Sequence, residues 1–214
     1  MRNLLGVVGA LAACWAGLAQ GLVLEVSTYT PNPGAAVGFQ VRGAPAGAQF
    51  RWDFDGDGKA DLTTPHPTAQ WTVPQGTWET VVEAVESGRV VGSARALIVA
   101  HANLGASRTV RLVGGTVEVT ISVRAKTTVI APGIEESIPP GWVLVVLDDG
   151  GALYKIGETL QAIWPTILDP GWEAKLVYRL HPPAAGATAR LSGKASGYVA
   201  GARVEVRIAG AVGF

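Results

Sequence analysis

The stretch Phe50-Arg51-Trp52-Asp53-Phe54-Asp55-Gly56-Asp57-Gly58 decides the fold of the first half of the chain. Trp52 and Phe54 alternate with Asp53, and successive side chains of a β-strand point to opposite faces of the sheet. The two aromatic side chains are therefore predicted to share one face, in the core, while Asp53 lies on the other face. Tight turns favour aspartate and glycine, so the stretch predicts a strand that ends in a polar turn.

Short runs with the same two-residue alternation recur from residue 22 onward, and Gly and Pro residues separate them. No window longer than ten residues carries a helical stripe with capping residues. Many short strands with turns between them predict an all-β fold built from antiparallel β-sandwiches. The clearest runs are 22–26, 38–42, 80–85, 96–99, 117–123, 143–147, 174–180 and 203–208.

The alternation breaks at residues 100–107, where small and polar residues interrupt it. We place a linker at 102–107, a first domain at 22–101 and a second domain at 108–214. Each domain is long enough to bury a core of its own. The apolar segment 208–214 is a candidate to extend an exposed sheet edge.

The first domain resembles the PKD domain, a family of immunoglobulin-like β-sandwiches. The Trp-Asp-Phe strand that runs into a Gly-Asp-Gly turn at 52–58 is the hallmark of that family. Pro74-Gln75-Gly76-Thr77-Trp78 looks like its Pro-Gly-Thr-Tyr strand entry, and Thr64-Pro65 stands in the place of its proline segment. One departure is Gln70, where the family usually has histidine. The resemblance implies an immunoglobulin-like sandwich for the first domain.

The second domain resembles an uncharacterised immunoglobulin-like module found beside dockerins and PKD repeats in secreted bacterial proteins. The resemblance depends on a Pro-Gly-Trp turn, a lone Trp strand, a Pro-Gly turn and an alternating Tyr strand, in that order. The fold expected for the whole chain is thus two tandem immunoglobulin-like antiparallel β-sandwiches after an N-terminal signal peptide. The four motifs are Ile138-Pro139-Pro140-Gly141-Trp142, Ala162-Ile163-Trp164-Pro165, Leu168-Asp169-Pro170-Gly171 and Leu176-Val177-Tyr178-Arg179-Leu180.

Residues 1–21 predict the signal peptide. Arg2 gives a positive start, an apolar run extends over residues 4–16, and small residues follow. Two ways of processing fit equally well: ordinary cleavage before Gln20, or lipidation of Cys14, whose surroundings resemble the bacterial lipobox. Both predict an extracytoplasmic protein, either secreted or held in the cell envelope, whose contact with a membrane is limited to that lipid anchor.

The polar turn also suggests a weak calcium site. Asp53, Asp55, Asp57 and Asp61 are spaced as ligand positions 1, 3, 5 and 9 of the EF-hand calcium loop. Position 12, which supplies a bidentate glutamate in that loop, is Thr64 here. The alternative is a hydrogen-bonded turn that needs no ion. Calcium is therefore the one cofactor that the sequence suggests, and none is required.

Trp142, Trp164, Trp172, Tyr154 and Tyr178 make the second domain rich in aromatic residues. In the interior they would form the core, whereas in an exposed row they would stack on sugar rings. We favour core packing for the set. Trp172 follows a Pro-Gly pair in a predicted turn. It is the residue that we expect to be exposed, and it is the candidate ligand-binding residue for a polysaccharide.

Charge and motif content bear on the function class. Lys plus Arg number 17 and Asp plus Glu number 17, so no basic excess is available to bind nucleic acid. The three histidines stand far apart in sequence, and no Gly-x-Ser-x-Gly elbow or phosphate loop occurs. The acidic pairs Glu135-Glu136 and Asp148-Asp149 are interpreted as solvated turns.

We therefore predict a non-catalytic cell-envelope protein that acts as a structural or protein-interaction module of the adhesion type. Its expected partner is another exported or surface protein. The alternative is a carbohydrate-binding accessory protein that uses exposed aromatic residues.

Overall fold

The computed structural model describes residues 21–211 and Gly213; the segment 1–20, with Cys14 and most of the predicted signal peptide, lies outside the described residues. Within the described part the chain forms strands and turns, and it contains no helix long and apolar enough to cross a membrane. The strands are β1 (Val23–Val26), β2 (Ala36–Arg42), β3 (Gln49–Asp53), β4 (Leu62–Thr64), β5 (Thr68–Thr72), β6 (Gly76–Glu86), β7 (Arg89–Ala100), β8 (Leu104–Val113), β9 (Thr116–Ala125), β10 (Val129–Ser137), β11 (Val143–Asp148), β12 (Leu153–Ile156), β13 (Thr159–Ile163), β14 (Ile167–Leu168), β15 (Glu173–His181), β16 (Gly193–Val199), β17 (Ala202–Arg207) and β18 (Ala209–Gly210).

The strands form three sheets. The nine-stranded sheet has the order β11-β15-β9-β8-β18-β7-β6-β3-β4. The six-stranded sheet has the order β12-β13-β10-β16-β17, with β14 beside β10, and the three-stranded sheet has the order β1-β2-β5. The paired strands are antiparallel, except that β18 runs parallel to β8. The fold is therefore all-β, with two smaller sheets packed against different parts of one long sheet.

The first hydrophobic core lies between the three-stranded sheet and strands β3, β6 and β7. Trp52 has no exposed surface and Phe54 is buried, so the prediction that both rings share a core-facing side is confirmed. Phe54 stacks on Trp71 with ring centroids 5.5 Å apart, and Phe39 approaches Phe54 at the same distance. Truncating a core tryptophan such as Trp52 to alanine typically costs about 3–5 kcal/mol of stability.

Strand β7 contributes to both cores. Ala96, Ile98 and Ala100 belong to the first core, while Leu97 and Val99 belong to a second core beneath the six-stranded sheet. Since side chains alternate across a sheet, the two cores lie on opposite faces of the nine-stranded sheet at this strand.

The predicted linker at 102–107 is wrong in extent. Strand β7 ends at Ala100 and β8 begins at Leu104, which leaves residues 101–103 as the connection. The small residues from Gly105 to Ser107, which broke the pattern in the sequence, are paired in β8 with β9. The finer prediction of two separate tandem sandwiches is not established, because one sheet runs through both halves of the chain.

Strand β18 joins the two halves of the nine-stranded sheet. Gly210 pairs with Leu97 of β7 on one side and with Arg108 of β8 on the other. The expectation that segment 208–214 extends an exposed edge is therefore wrong for β18, which lies inside the sheet. Apolar character alone does not specify this pairing, which depends on strands that are distant in sequence.

We predict that Gly210→Ala strongly destabilises the protein. Gly210 has a φ of +95°, and a Cβ atom there would collide with the backbone carbonyl oxygen of Arg108. We expect a loss on the order of 3 kcal/mol in the free energy of unfolding, measured by urea denaturation. Gly201→Ala is the matched control, because Gly201 has a φ of +79° but open space around it. Equal losses in the two variants would contradict the role of β18.

Candidate functional site

The acidic turn after β3 brings together three of the four predicted calcium ligands. One carboxylate oxygen from each of Asp53, Asp55 and Asp61 lies within 4.8 Å of the other two. Asp57 lies outside this group: its carboxylate accepts a 2.7 Å hydrogen bond from the backbone N–H of Lys59 and lies 3.5 Å from the Lys59 ammonium.

Backbone N–H groups already occupy several oxygens of this acidic turn. Asp53 accepts from Gly56 at 2.7 Å through one oxygen and from Gly58 at 2.9 Å through the other. Asp61 accepts from the N–H of Phe54 at 2.7 Å. These hydrogen bonds hold the turn closed without an ion, as expected for the alternative of a hydrogen-bonded turn. Calcium needs six to eight oxygen ligands, of which the cluster offers a part.

We predict that the melting temperature is the same in millimolar calcium and in chelator. A ligand that binds only the folded state raises the melting temperature, so this comparison tests the calcium hypothesis directly. Asp55→Asn is the matched control, since it removes one carboxylate of the cluster from an exposed position. A calcium-dependent rise that this variant abolishes would instead establish the site.

The aromatic residues of the second half separate into two groups. Trp142, Trp164 and Tyr178 are buried, which confirms the core interpretation for them. Trp172 is 68% exposed and Tyr154 is 46% exposed. The exposure expected for Trp172 is thus confirmed, whereas the five residues do not form one exposed row.

The turn that carries Trp172 is fixed by backbone hydrogen bonds. The N–H of Trp172 donates to the carbonyl oxygen of Asp169 at 3.0 Å, and the carbonyl oxygen of Trp172 accepts from the N–H of Ala125 at 3.0 Å. The indole is therefore held out from the end of the nine-stranded sheet by a short, well-anchored turn.

A cleft of about 560 Å³ separates the ends of β6 and β7 from the outer surface of β10, β16 and β17. Lys194 lies 3.8 Å from Glu135 and 3.5 Å from Glu205, so its charge is compensated within the cleft wall. His101 lines the cleft as well, and its Nδ1 accepts hydrogen bonds from the N–H groups of Asn103 and Leu104. The wall of the cleft thus carries mixed charge.

His101 and Lys126 tie the junction between the two halves. The Lys126 ammonium donates to the carbonyl oxygens of Pro31 at 2.7 Å and His101 at 2.9 Å. Burial lowers the pKa of Lys126 to about 8, with a smaller contribution from the charge of Arg124. Burial also lowers the pKa of His101, with a smaller contribution from the charge of Lys126. Both groups are therefore used in joining segments of the backbone.

A cluster of charged and polar side chains lies inside the second core. Arg108 on β8 donates to the carboxylate of Glu136 on β10 at 2.6 Å, and both side chains are completely buried. Tyr178 on β15 donates its hydroxyl to the same carboxylate at 3.1 Å. Arg108 also donates to the carbonyl oxygen of Ala211 at 2.8 Å. The cluster connects the two facing sheets and the segment that follows β18.

Burial dominates the electrostatics of this cluster. It raises the pKa of the Glu136 carboxyl, while the charge of Arg108 and the hydrogen bonds from Arg108 and Tyr178 oppose that change. Burial also raises the pKa of Tyr178 well above its ordinary value, and the charge of Glu136 adds to the effect. These groups hold sheets together from a position that solvent does not reach.

The interpretation of Glu135-Glu136 as a solvated turn is wrong. Both residues lie on β10. Because side chains alternate along a strand, Glu136 points to the same face as the buried Ile134, toward Arg108. The signal available in the sequence was the two-residue spacing between Ile134 and Glu136, which places both side chains on one face of a strand. The other acidic pair does form a turn, in which Asp148 and Asp149 accept hydrogen bonds from the backbone N–H groups of the two following glycines.

We predict that Arg108→Met costs about 3–5 kcal/mol in the free energy of unfolding, because it leaves a buried carboxylate without its cation. The double variant Arg108→Met, Glu136→Met removes both charges and should recover most of that loss. Urea denaturation of the two variants measures the difference. A double variant as unstable as the single one would show that the ion pair itself stabilises the fold.

An exposed apolar surface lies where the two larger sheets end on one side. Strand β11 is the last strand of the nine-stranded sheet and β12 the last of the six-stranded sheet, and residues 149–152 join them. We call this surface the apolar rim. Its side chains are 44–66% exposed: Val143, Val145, Leu147, Leu153, Tyr154 and Ile156.

The sequence predicts β11 as a strand but does not show that the strand lies at an edge. The position of β11 follows from its pairing with β15, whose other neighbour is β9. Among the described residues β11 has no second neighbour in its sheet. Its outer backbone groups are therefore available for pairing with another strand.

No family model matches the sequence, and no curated protein matches it. Similar solved structures include the full-length major pilin SpaD from Corynebacterium diphtheriae, at 11% identity and a TM-score of 0.40, with 77% of this chain and 57% of that chain covered. A putative membrane anchored protein from the same organism shows 11% identity and a TM-score of 0.35, with 92% and 58% covered.

A third similar structure is the chitinase ChiA74 from Bacillus thuringiensis, at 11% identity and a TM-score of 0.36, with 75% of this chain and 26% of that chain covered. The chain thus spans less than two thirds of the length of each of these three proteins. At such low identities and TM-scores the similarities carry no argument about activity or partners. The all-β architecture rests on the strands and sheets described above.

Proposed function

We propose that the protein is a non-catalytic structural and protein-interaction module of the cell envelope, located outside the cytoplasm. The observation that carries this proposal is the apolar rim, since an exposed apolar surface that ends in an open strand edge is typical of a protein-binding surface. Val143 and Leu153 are its most exposed members, at 62% and 66%.

The interior supports the same proposal. The buried charges of Arg108 and Glu136 are paired with each other across the two sheets. Lys126 and His101 are engaged in backbone hydrogen bonds at the junction. These groups therefore make the scaffold rigid. A module that presents strand edges and loops to a partner needs a rigid scaffold.

The proposed location rests on residues 1–21, which have the composition of an export signal. The finer assignments of a PKD-like first domain and a second immunoglobulin-like module belong to this proposal as well, on the motifs quoted above. The expected partner is another exported or surface protein, and neither nucleic acid nor a required cofactor is part of the proposal.

The intact mass of the mature protein, together with fractionation of the cells that produce it, tests the proposed location. We expect either a chain that begins at Gln20 or an acylated chain that begins at Cys14, and in both cases recovery outside the cytoplasm. A full-length chain beginning at Met1 in the cytoplasmic fraction would overturn the proposal.

A carbohydrate-binding role is the second candidate, and the 68% exposure of Trp172 favours it. An exposed indole offers a flat apolar face on which a sugar ring can stack. Retention on insoluble polysaccharides tests this role, with Trp172→Ala expected to abolish retention. Tyr198→Ala is the control, since Tyr198 is also an exposed aromatic residue, at 49%. The absence of retention of the unaltered protein would remove this candidate.

A further inference from the structure

We propose that the open edge of β17 binds an extended segment of a partner protein, which pairs antiparallel with β17 and carries charged residues in the order acid-x-base-x-acid. The inference rests on the proposed protein-interaction function, and it adds to the apolar rim a second surface whose partner has a stated chemistry. A regular strand edge and the cleft of about 560 Å³ beside it carry the proposal.

The turn between β16 and β17 shows which backbone groups of β17 point away from its sheet. Ala200 and Gly201 form a two-residue hairpin turn with φ of +48° and +79°, as in type I′ turns. The two residues that flank such a turn form a hydrogen-bonded pair, and hydrogen-bonded and non-hydrogen-bonded pairs alternate from there along the hairpin. The N–H of Ile208 donates to the carbonyl oxygen of Gly193 at 2.9 Å, which agrees with this alternation.

The same alternation directs the backbone N–H and carbonyl groups of Arg203, Glu205 and Arg207 away from β16. Within the described part of the chain β17 is the last strand of the six-stranded sheet, with no strand on that side. Its register with β16 is unbroken over six residue pairs. The edge therefore presents its outward backbone groups in a regular row, which is the template that strand addition requires.

The cleft provides space beside this edge. Glu205 and Arg207 line it on the side of β17, while Thr77 and His101 line it where β6 begins and just after β7 ends. Its volume lies within the range of about 300–1,000 Å³ that is usual for ligand sites. An added strand would thus lie between two walls. Its inward-facing side chains would lie next to Val206, so small apolar residues such as valine suit those positions.

The charges on β17 specify the partner. The side chains of Arg203, Glu205 and Arg207 alternate with those of the inward-facing valines and share the outer face of the sheet. Residues of an added strand that pair with them share that face, where opposite charges stabilise the pair and like charges destabilise it. The partner segment therefore places an acid, a base and an acid at every second position.

Arg207 gives the strongest reason for an acidic residue in the partner. Glu205 lies 3.3 Å from Arg203 and 3.5 Å from Lys194, and Lys194 lies 3.8 Å from Glu135. In the described part of the chain Arg207 has no carboxylate within ion-pair distance. Three cations thus stand against two carboxylates on this surface, and an acidic residue opposite Arg207 would compensate the remaining charge.

The same charges disfavour a second copy of this chain as the occupant. Two β17 strands paired antiparallel about Glu205 would place the two glutamates opposite each other. Arg203 of each copy would then lie opposite Arg207 of the other copy. All three pairs would be repulsive, because like charges in paired positions destabilise a strand pair.

Titration of fluorescent synthetic peptides against the purified protein, followed by anisotropy, tests the inference. The probe is Thr-Glu-Val-Lys-Val-Glu-Thr, and the matched control is the charge-reversed peptide Thr-Lys-Val-Glu-Val-Lys-Thr. We expect a Kd on the order of 100 µM for the probe, as suits a small interface, and binding about tenfold weaker for the control. Arg207→Glu should remove this preference, whereas Arg89→Glu, at an exposed arginine on β7, should leave it unchanged.

Backbone methylation of the probe tests the strand pairing itself. A methyl group on the N atom of the central lysine removes the N–H that antiparallel pairing directs at β17, whereas one on the preceding valine alters an N–H that points away. We expect the first peptide to lose binding and the second to retain it.

Two variants at one position make the same test from the side of the protein. Glu205→Pro removes an outward N–H that the sheet does not use, and proline is tolerated at such edge positions. This variant should lose binding of the probe without a change in melting temperature. Glu205→Gln keeps the N–H, and it should bind the probe within about threefold of the unaltered protein.

Three outcomes would overturn the inference: no binding of the probe up to millimolar concentration, equal affinity for the probe and the charge-reversed peptide, or binding that survives methylation of the central lysine. A dimer of the unaltered protein that Glu205→Pro abolishes would assign the edge to a second copy and would overturn it as well. The two proposals fail separately. An exported protein that binds neither peptide contradicts the inference alone, whereas a cytoplasmic chain that begins at Met1 and binds the probe contradicts the proposed function alone.

Discussion

Burial of the two charges of Arg108 and Glu136 inside the second core is the constraint that the second half of the chain must satisfy. A charge that is completely buried must be compensated by a partner at close range, because desolvation of an unpaired ion is very costly. Arg108 meets this requirement with Glu136 on the facing sheet and with the carbonyl oxygen of Ala211. One guanidinium group therefore links the two facing sheets and the segment after β18.

This constraint extends into the first half of the chain through β18. Gly210 lies against the backbone of Arg108 and pairs with Leu97 of β7, a strand whose side chains enter both cores. The two halves thus share a sheet instead of being joined by a flexible linker. A rigid scaffold of this kind holds the acidic turn, the Trp172 turn and the apolar rim at set distances from one another.

Local alternation was sufficient to predict the all-β class, the buried faces of Trp52 and Phe54 and the strand at 143–147, and the Pro170-Gly171 pair was sufficient to predict the exposed turn at Trp172. What it could not supply was long-range pairing. Residues 105–107 look like a linker because they are small, and they form a strand because β9 pairs with them. Glu136 looks solvated beside Glu135, and it is buried because Arg108 faces it from another sheet. The edge position of β11 likewise depends on which strands occupy the rest of the sheet.

The position of β18 also has a consequence for the order in which the protein folds. Strands β7 and β8 are separated in the nine-stranded sheet by residues that are synthesised more than a hundred positions after Leu97. A chain that emerges from a ribosome with its N-terminus first would complete each hairpin early and would close the central sheet late. Contacts between such distant residues slow folding, so the sheet stays half-assembled, with β7 and β8 not yet joined through β18, until residues 209–210 are available to pair.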